Sequence, residues 1–438
     1  MIRLLPKTGN FVLQPANTET GCIIQNATVL LLGFSVSTED AACALNAWGM
    51  RLRIYPEDSC MPKKYCLALL LSVSAGISAA KADQNAPGDA EVAALTDQKM
   101  FEFGSYGTLG ATHASLSSAD YALDAPMPYG SGRSGYWAPS DNSLIAAHVN
   151  ATFTPDLTAI FQVISEYNSN GNYRPEVEWA NAKYALTPNF YIKAGRFALP
   201  TFIDSDNHDV GYSFVWVHTP VELYQQMPIT SVDGINAAYH FSLGEAENSV
   251  KLIAGQNTTE TSLGIINSKN MRGIFDNLEY GQATFHMGYQ QRISSTQSDL
   301  ARLNTGWVEA SDLSAGISYD PGSWFFKSEW LQDRTLYKTN AMYASAGYRM
   351  HQFTPYLTHS QSSAAAAYEN SLPYLNMAQK SNSVGVRWDF MKNFDFKLQY
   401  DHIKLGDNSN GYLVNVPDNV ILSGKTFHVI SAVVDFVF

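Results

Sequence analysis

The chain has 438 residues, 45 % of them hydrophobic and 12 % aromatic, yet its mean hydropathy is slightly negative and its net charge is −12. No apolar run reaches the ~18 residues a membrane-crossing helix needs, which excludes a helical membrane bundle. An acidic chain without a basic tract offers no footing for nucleic acid.

All four cysteines, Cys22, Cys43, Cys60 and Cys66, fall in the first 66 residues. The remainder therefore cannot use a thiol nucleophile or thiolate-held zinc, and an exported domain can dispense with thiols. Residues 1–60 show no sustained period of 2 or 3.6. From Met61 the chain reads MPKKYCLALLLSVSAGISAAKA. Lys63 and Lys64 form a positive start, Leu67 to Ala80 an apolar core, and Ala80-Lys81-Ala82 an A-x-A cleavage pattern, the three parts of a secretory signal. The expectation is a start at Met61, with residues 1–60 a mis-assigned extension, 61–82 a signal peptide and 83–438 the mature domain. The alternative is a small domain over 1–60 with Leu67–Ala80 as a buried helix. Removing seven Lys/Arg and five Asp/Glu with residues 1–82 takes the net charge from −12 to −14.

From residue 100 the hydrophobic pattern has period 2, the signature of strands with one apolar face. It predicts strands over Met100–Thr112, Ser143–Thr154, Thr158–Tyr167, Val177–Thr187, Phe190–Phe197, Gly234–Ser242, Ser249–Gln256 and Gly273–Tyr280. The second half follows with Gln282–Arg292, Ala310–Tyr319, Ser323–Asp333, Met342–Met350, Phe353–Ser360, Asn382–Phe390, Asn393–Lys404 and Phe427–Phe438. Every second connection is tight, for example Pro155-Asp156, Asp320-Pro321-Gly322 and Met391-Lys392. The intervening ones read as mostly long: 113–142, 198–233, 257–272, 293–309 and 405–426. Tight turns alternating with long loops mark an outer-membrane barrel. Pro355 cannot donate to a sheet ladder, so a bulge is expected there. Ser363 and the four alanines after it read as a short helical turn in a loop.

The alternation also assigns the faces. Phe285, Met287 and Tyr289 alternate with His286, Gln290 and Arg292; Val386 and Trp388 with Arg387 and Asp389; Phe396 and Leu398 with Lys397 and Gln399. A ring of sixteen strands is too wide for side chains to fill, so an apolar lining would leave a dry void. The apolar face must therefore touch lipid and the charged face a wet interior. The last strand, FHVISAVVDFVF, carries its apolar face to a terminal Phe438, similar to the signal read by the outer-membrane assembly machinery.

At this point the chain resembles the Gram-negative trimeric porin family over residues 98–438. The opening strand FEFGSYGTLGA, the junction YIKAGRF, the hairpin SVGVRWDFMKNFDFKLQYD and Phe438 carry the resemblance. It implies an all-β fold, a closed 16-stranded antiparallel transmembrane barrel with an inward-folded third loop, acting as a homotrimer in the outer membrane. It also implies passive diffusion of small hydrophilic solutes and ions, with no cofactor and no nucleic-acid partner. The third long connection, ALPTFIDSDNHDVGYSFVWVHTPVELYQQMPITSVD, lacks the acidic-Gly signature common in general porins, which puts the form of its constriction in question.

Four acids of that connection, Asp204, Asp206, Asp209 and Glu222, are the candidate constriction. Arg292, Lys327, Arg349, Arg387 and Lys397 are the basic residues that alternation points inward, and opposed charges of this kind filter ions by sign. The alternative is that these charges are solvated or paired with Glu329, Asp389, Asp395 and Asp401. Arg196 has the wrong parity unless a bulge follows Gly195. Tyr212, Phe214, Trp216 and Tyr224 read as packing of the loop against the wall before they read as a sugar slide. His208 and His218 match no zinc spacing and read as solvated, so no metal site is expected. A channel specific for anions or dicarboxylates is the main rival. An outer-membrane enzyme is a weaker one, since inward His148 and His286 sit without a nucleophile motif such as G-x-S-x-G.

Overall fold

The computed structural model describes residues 99–438 apart from 263, 299–303, 336–337, 364–375, 418–419 and 421. Before residue 99 it describes only the backbone of 29–31 and 34–36. Those two stretches, Val29–Leu31 and Phe34–Val36, pair antiparallel and form their own unit. The expected signal over 61–82, most of 1–60 and the alanine run after Ser363 lie outside the described residues.

In the second unit, sixteen strands follow one another in chain order. They are β1 Phe101–Ala114, β2 Leu144–Thr154, β3 Leu157–Ser165, β4 Glu176–Thr187, β5 Phe190–Ala198, β6 Ser231–Leu243, β7 Ala246–Thr261 and β8 Gly264–Tyr280. The ring continues with β9 Ala283–Gln297, β10 Val308–Tyr319, β11 Trp324–Arg334, β12 Lys338–Tyr348, β13 Phe353–Ser363, β14 Gln379–Met391, β15 Phe394–Leu405 and β16 Thr426–Val437. Each pairs antiparallel with its neighbours, and β16 closes on β1 from Val429↔Ala114 to Val437↔Tyr106. Closure leaves no edge with unpaired backbone, the condition for a sheet to stand in hydrocarbon. Among the described residues no helix is long and apolar enough to cross a membrane.

The tight turns gather at one rim. There Gly244, Gly281, Gly322, His351 and Asn393 take positive φ, the geometry that lets two twisted strands reverse in a few residues. The outward face at this rim is aromatic. Ring contacts run from Phe353 through Trp388, Phe390 and Phe394 to Phe436 and Phe438. Phe438 also exchanges backbone hydrogen bonds with Ser105, at 2.7 and 2.9 Å. Along the strands the faces alternate as expected: Phe285 is 42 % exposed, whereas Asp395, Lys397, Gln399 and Asp401 of β15 are buried.

Three expectations fail. Residues 257–272 are not a loop, because β7 and β8 extend through them and pair to Thr261↔Gly264. Thr258 to Thr261 are polar on both faces and Ile265 and Ile266 stand side by side, so no period of 2 can be read, while main-chain hydrogen bonds hold the ladder. Pro355 sits in register with Val386 without a bulge. The β12 ladder ends beside it at Gly347↔Tyr356, so the missing donor falls where pairing stops. No bulge follows Gly195, so Arg196 keeps the parity read from the sequence; it pairs in register with Asp233 and binds its carboxylate at 2.7 Å. Strand β12 also starts and ends earlier than expected, at Lys338 and Tyr348.

Candidate functional site

The long connection between β5 and β6, residues 199–230, is organised by the inward-facing side chains of the wall. Its apolar residues Leu199, Phe202, Phe214, Trp216, Leu223, Met227 and Ile229 share one buried cluster with Ile253, Phe275, Leu331, Tyr343 and Tyr356 of the strands. Burying each such side chain contributes about 1.5–3 kcal/mol. Tyr224 packs against this cluster, and Tyr212 lies under the Arg387 guanidinium at 4.7 Å.

Polar contacts fix the path of the loop. Ile203 N–H donates to Glu329 at 2.8 Å, and Trp216 Nε1–H to Ser345 at 2.9 Å and Thr358 at 3.1 Å. Val217 N–H donates to Gln399 at 3.1 Å. Thr201 O lies 2.9 Å from His286, and His218 lies 3.2 Å from Asp401.

The five bases singled out from sequence take four different positions. Arg387 donates to the carbonyls of Tyr212 and Phe214 at 2.6 and 2.8 Å, and also to Asp389 and Asp395. Lys397, 0 % exposed, donates to Gly211 O at 2.6 Å and lies 2.8 Å from Asp435. Lys327 binds Asp204. Arg292 binds Asp312, and Asp333 at 3.3 Å, within the wall. Arg349 is at the tight-turn rim, bound to Asp320 at 2.6 and 2.7 Å.

Of the four acids, Glu222 is buried on a one-turn helix, Val221–Tyr224. It accepts from Ser360 at 2.5 Å, Gln379 at 2.7 Å, and Ser381. Asp206 is largely exposed, 3.4 Å from Lys251. Asp209 lies 3.1 Å from His208. Neither His208 nor His218 is solvated as expected from sequence. Burial opposes charge on His218, but the Asp401 carboxylate, its hydrogen bond, the Thr219 carbonyl and Glu222 outweigh it and hold the imidazole above its ordinary 6.5.

Two interior cavities remain beside this loop. One, of about 370 Å³, opens among the long connections and is lined by Asp124, Asp141, Glu166, Glu176, Glu178 and Tyr224, among others. The second, of about 280 Å³, lies toward the tight-turn rim against Ser105, Tyr106, Gln162, Trp179 and Phe438. The two share His208 and Asp209 in their linings. Asp206 lines the second cavity, whereas Asp204, Glu222 and the five bases line neither.

Across from this pair stands Glu178, which the sequence did not reveal. On β3, Gln162 pairs with Trp179 and Val163 with Val177, so Glu178 is an extra residue on β4. A bulge of this kind re-aims a side chain. Glu178 accordingly lies 3.9 Å from His208 although its neighbour Trp179 also points inward, at 6.0 Å from the same ring. Strict alternation could not have placed both inside.

The divide crowds buried carboxyl groups together. Burial first, then the charges of Glu178 and Asp124, push the Asp209 carboxyl well above its ordinary 3.8. Burial likewise pushes Asp141 up to about 7.

No family model and no curated protein matches the chain. Solved structures do. OmpF of Salmonella typhi, in complex with daunomycin, is 13 % identical with a TM-score of 0.52, the match covering 77 % of this chain and 97 % of that one. The outer membrane channel DcaP of Acinetobacter baumannii is 11 % identical with a TM-score of 0.50, over the same shares. The chain has the porin fold. At these identities the likeness extends to the porin architecture and to no individual side chain, so the charge pattern at the divide belongs to this sequence.

Proposed function

We propose that the protein is a passive, non-enzymatic diffusion channel of a Gram-negative outer membrane, passing small hydrophilic solutes and ions. The observation that carries the reading is a closed ring, apolar and aromatic outside, enclosing two cavities whose linings both include His208 and Asp209. An exterior of Phe, Leu, Val and Trp fits hydrocarbon with interfacial aromatics, and a charged interior fits water. The loop over 199–230 acts as the constriction, with Asp209 and Glu178 as its charged lip. Export rests on the three-part signal pattern at 61–82, and recognition of Phe438 by the barrel assembly machinery and assembly as a homotrimer rest on the sequence resemblance.

The lip is acidic, and the inward bases that would serve an anion channel are engaged. Arg387 and Lys397 hold the loop, and Arg292 and Lys327 hold acids. The channel therefore prefers cations. Planar-bilayer recording across a salt gradient tests both parts. The expected result is a steady conductance whose reversal potential reports cation preference, moving toward zero in Glu178→Gln and Asp209→Asn. Absence of conductance in the refolded mature chain would remove the transport reading. An anion-selective wild type would remove the assignment of the lip.

A further inference from the structure

We propose that Glu178, His208 and Asp209 form a binding site for a divalent transition-metal ion of the zinc type, seated where the two cavities meet. The consequence for transport rests on the channel reading above; the site itself rests on side-chain geometry. One ligand atom from each residue lies within 4.8 Å of the others, with Asp209 Oδ2 at 3.1 Å and Glu178 Oε1 at 3.9 Å from His208 Nε2. Tetrahedral zinc with ~2.0 Å bonds needs ligand atoms about 3.3 Å apart, so a small side-chain rotation closes the set.

Three independent features point to a cation. First, His208 Nδ1 lies 3.0 Å from the Ser205 carbonyl, which can only accept, so Nδ1 carries the hydrogen. That leaves Nε2 facing the Asp209 and Glu178 carboxyls at 3.1 and 3.9 Å, where a bound cation or a proton satisfies both sides. Metal-bound histidines are held in the same way, with the far ring N–H tied to a carbonyl. The Ser205 hydroxyl accepts from Phe202 N–H at 2.9 Å and steadies that carbonyl's turn. Second, Glu178 Oε1 is enclosed and has no hydrogen-bond partner, although burial of such an oxygen is costly. Third, the β4 bulge exists at this residue and turns it toward His208.

The donor set selects the ion. Magnesium and calcium take all-oxygen cages, whereas one imidazole with two carboxylates suits zinc and its neighbours. Three protein ligands leave one position open to water in the cavity. A doubly charged ion at the lip obstructs the passage and cancels its negative charge, so cation conductance falls.

The test uses the mature chain refolded into planar bilayers, with ZnCl₂ titrated in and removed by EDTA, and MgCl₂ as the comparison. Visible absorption of bound Co²⁺ is read in detergent solution on the same preparation. The proposal expects a reversible loss of conductance with Zn²⁺ but not with equal Mg²⁺, and a tetrahedral Co²⁺ spectrum. His208→Ala and Glu178→Gln should each raise the Zn²⁺ concentration needed, relative to their own metal-free conductance, by tenfold or more and weaken the spectrum. Conductance insensitive to Zn²⁺ together with no Co²⁺ spectrum overturns the metal site and leaves the channel standing. A His208-dependent Co²⁺ spectrum in a protein that never conducts overturns the channel and supports the site. A Zn²⁺ block unchanged in both variants places the metal elsewhere and overturns the assignment.

Discussion

Replacing Glu222 with alanine tests whether the inner loop is a fixed part of the wall or a segment lying loosely beside it. Glu222 is 1 % exposed and receives three side-chain hydrogen bonds from two strands, from Ser360 on β13 and from Gln379 and Ser381 on β14. Its own carbonyl accepts from Tyr412 at 3.0 Å. Hydrogen bonds to a charged group contribute about 1.5–3 kcal/mol each. In Glu222→Ala the two serine hydroxyls can rotate and Gln379 keeps its contact with Tyr121, so the net loss is about 3–4 kcal/mol, below the sum of the three bonds. At ~1.4 kcal/mol per factor of ten, the detached population of the loop rises about 10²–10³-fold. Chymotrypsin reads that population directly, because Phe214, Trp216 and Tyr224 are cleavage sites sheltered only while the loop is seated. Cleavage within 199–230 should accelerate by the same factor while the barrel stays folded, and single-channel records should become noisy. Glu222→Gln, which keeps one good acceptor, should fall between. A Glu222→Ala protein as protease-resistant and as quiet as the parent would refute the anchoring account.

The elevated imidazolium of His218 stabilises the loop below its unfolded value of about 6.5, and that contribution is lost as pH rises through the folded value; protease sensitivity at 199–230 should therefore rise on the alkaline side, and His218→Gln should flatten the profile. Lys397→Ala leaves buried Asp395 and Asp435 without their shared cation and should cost about 3–5 kcal/mol, seen as a lower heat-modification temperature on gels, with Asp435→Asn restoring part of it. Phe438→Ala removes the ring contacts to Phe394 and Phe436 and the terminal aromatic; insertion into the outer membrane should slow, with inserted molecules conducting normally.

The period-2 pattern was enough to identify the ring, because a strand with lipid on one side and water on the other must alternate. It placed Arg387, Lys397, Gln399 and Asp401 on the inner face, where they are. It could not say what lies in front of them, since parity carries no information about a loop that arrives from elsewhere in the chain. Glu178 was hidden for a different reason. A bulge adds one residue and breaks the parity on which the reading depends, and nothing in EVEWA marks it. The β7–β8 extension escaped because Asn257, Thr258, Thr259 and Glu260 have no apolar partners to alternate with. Spacing along the sequence likewise cannot bring Glu178 of β4 to within 3.9 Å of His208 in the loop.

The interior divides into two electrostatic halves. On the side of β9 to β16, acids and bases meet as ion pairs: Arg292 with Asp312, Lys327 with Asp204, Arg387 and Lys397 with Asp395, and Lys397 with Asp435. Their fields largely cancel at any distance beyond the pair, so this half contributes adhesion for the loop and little potential to a passing ion. On the side of β3 and β4, Glu166, Glu176 and Glu178 join Asp124 and Asp209 with few bases among them, in a site walled by low-dielectric protein. Uncancelled charge in such a site focuses its potential on the passage. The two halves therefore separate experimentally. Arg387→Ala should disturb the loop and the steadiness of the current while leaving the sign of the preference, whereas Asp209→Asn should shift the reversal potential in a quiet channel. A reversal shift from Arg387→Ala as large as that from Asp209→Asn would mean the field is shared across the whole interior, and the division would be wrong.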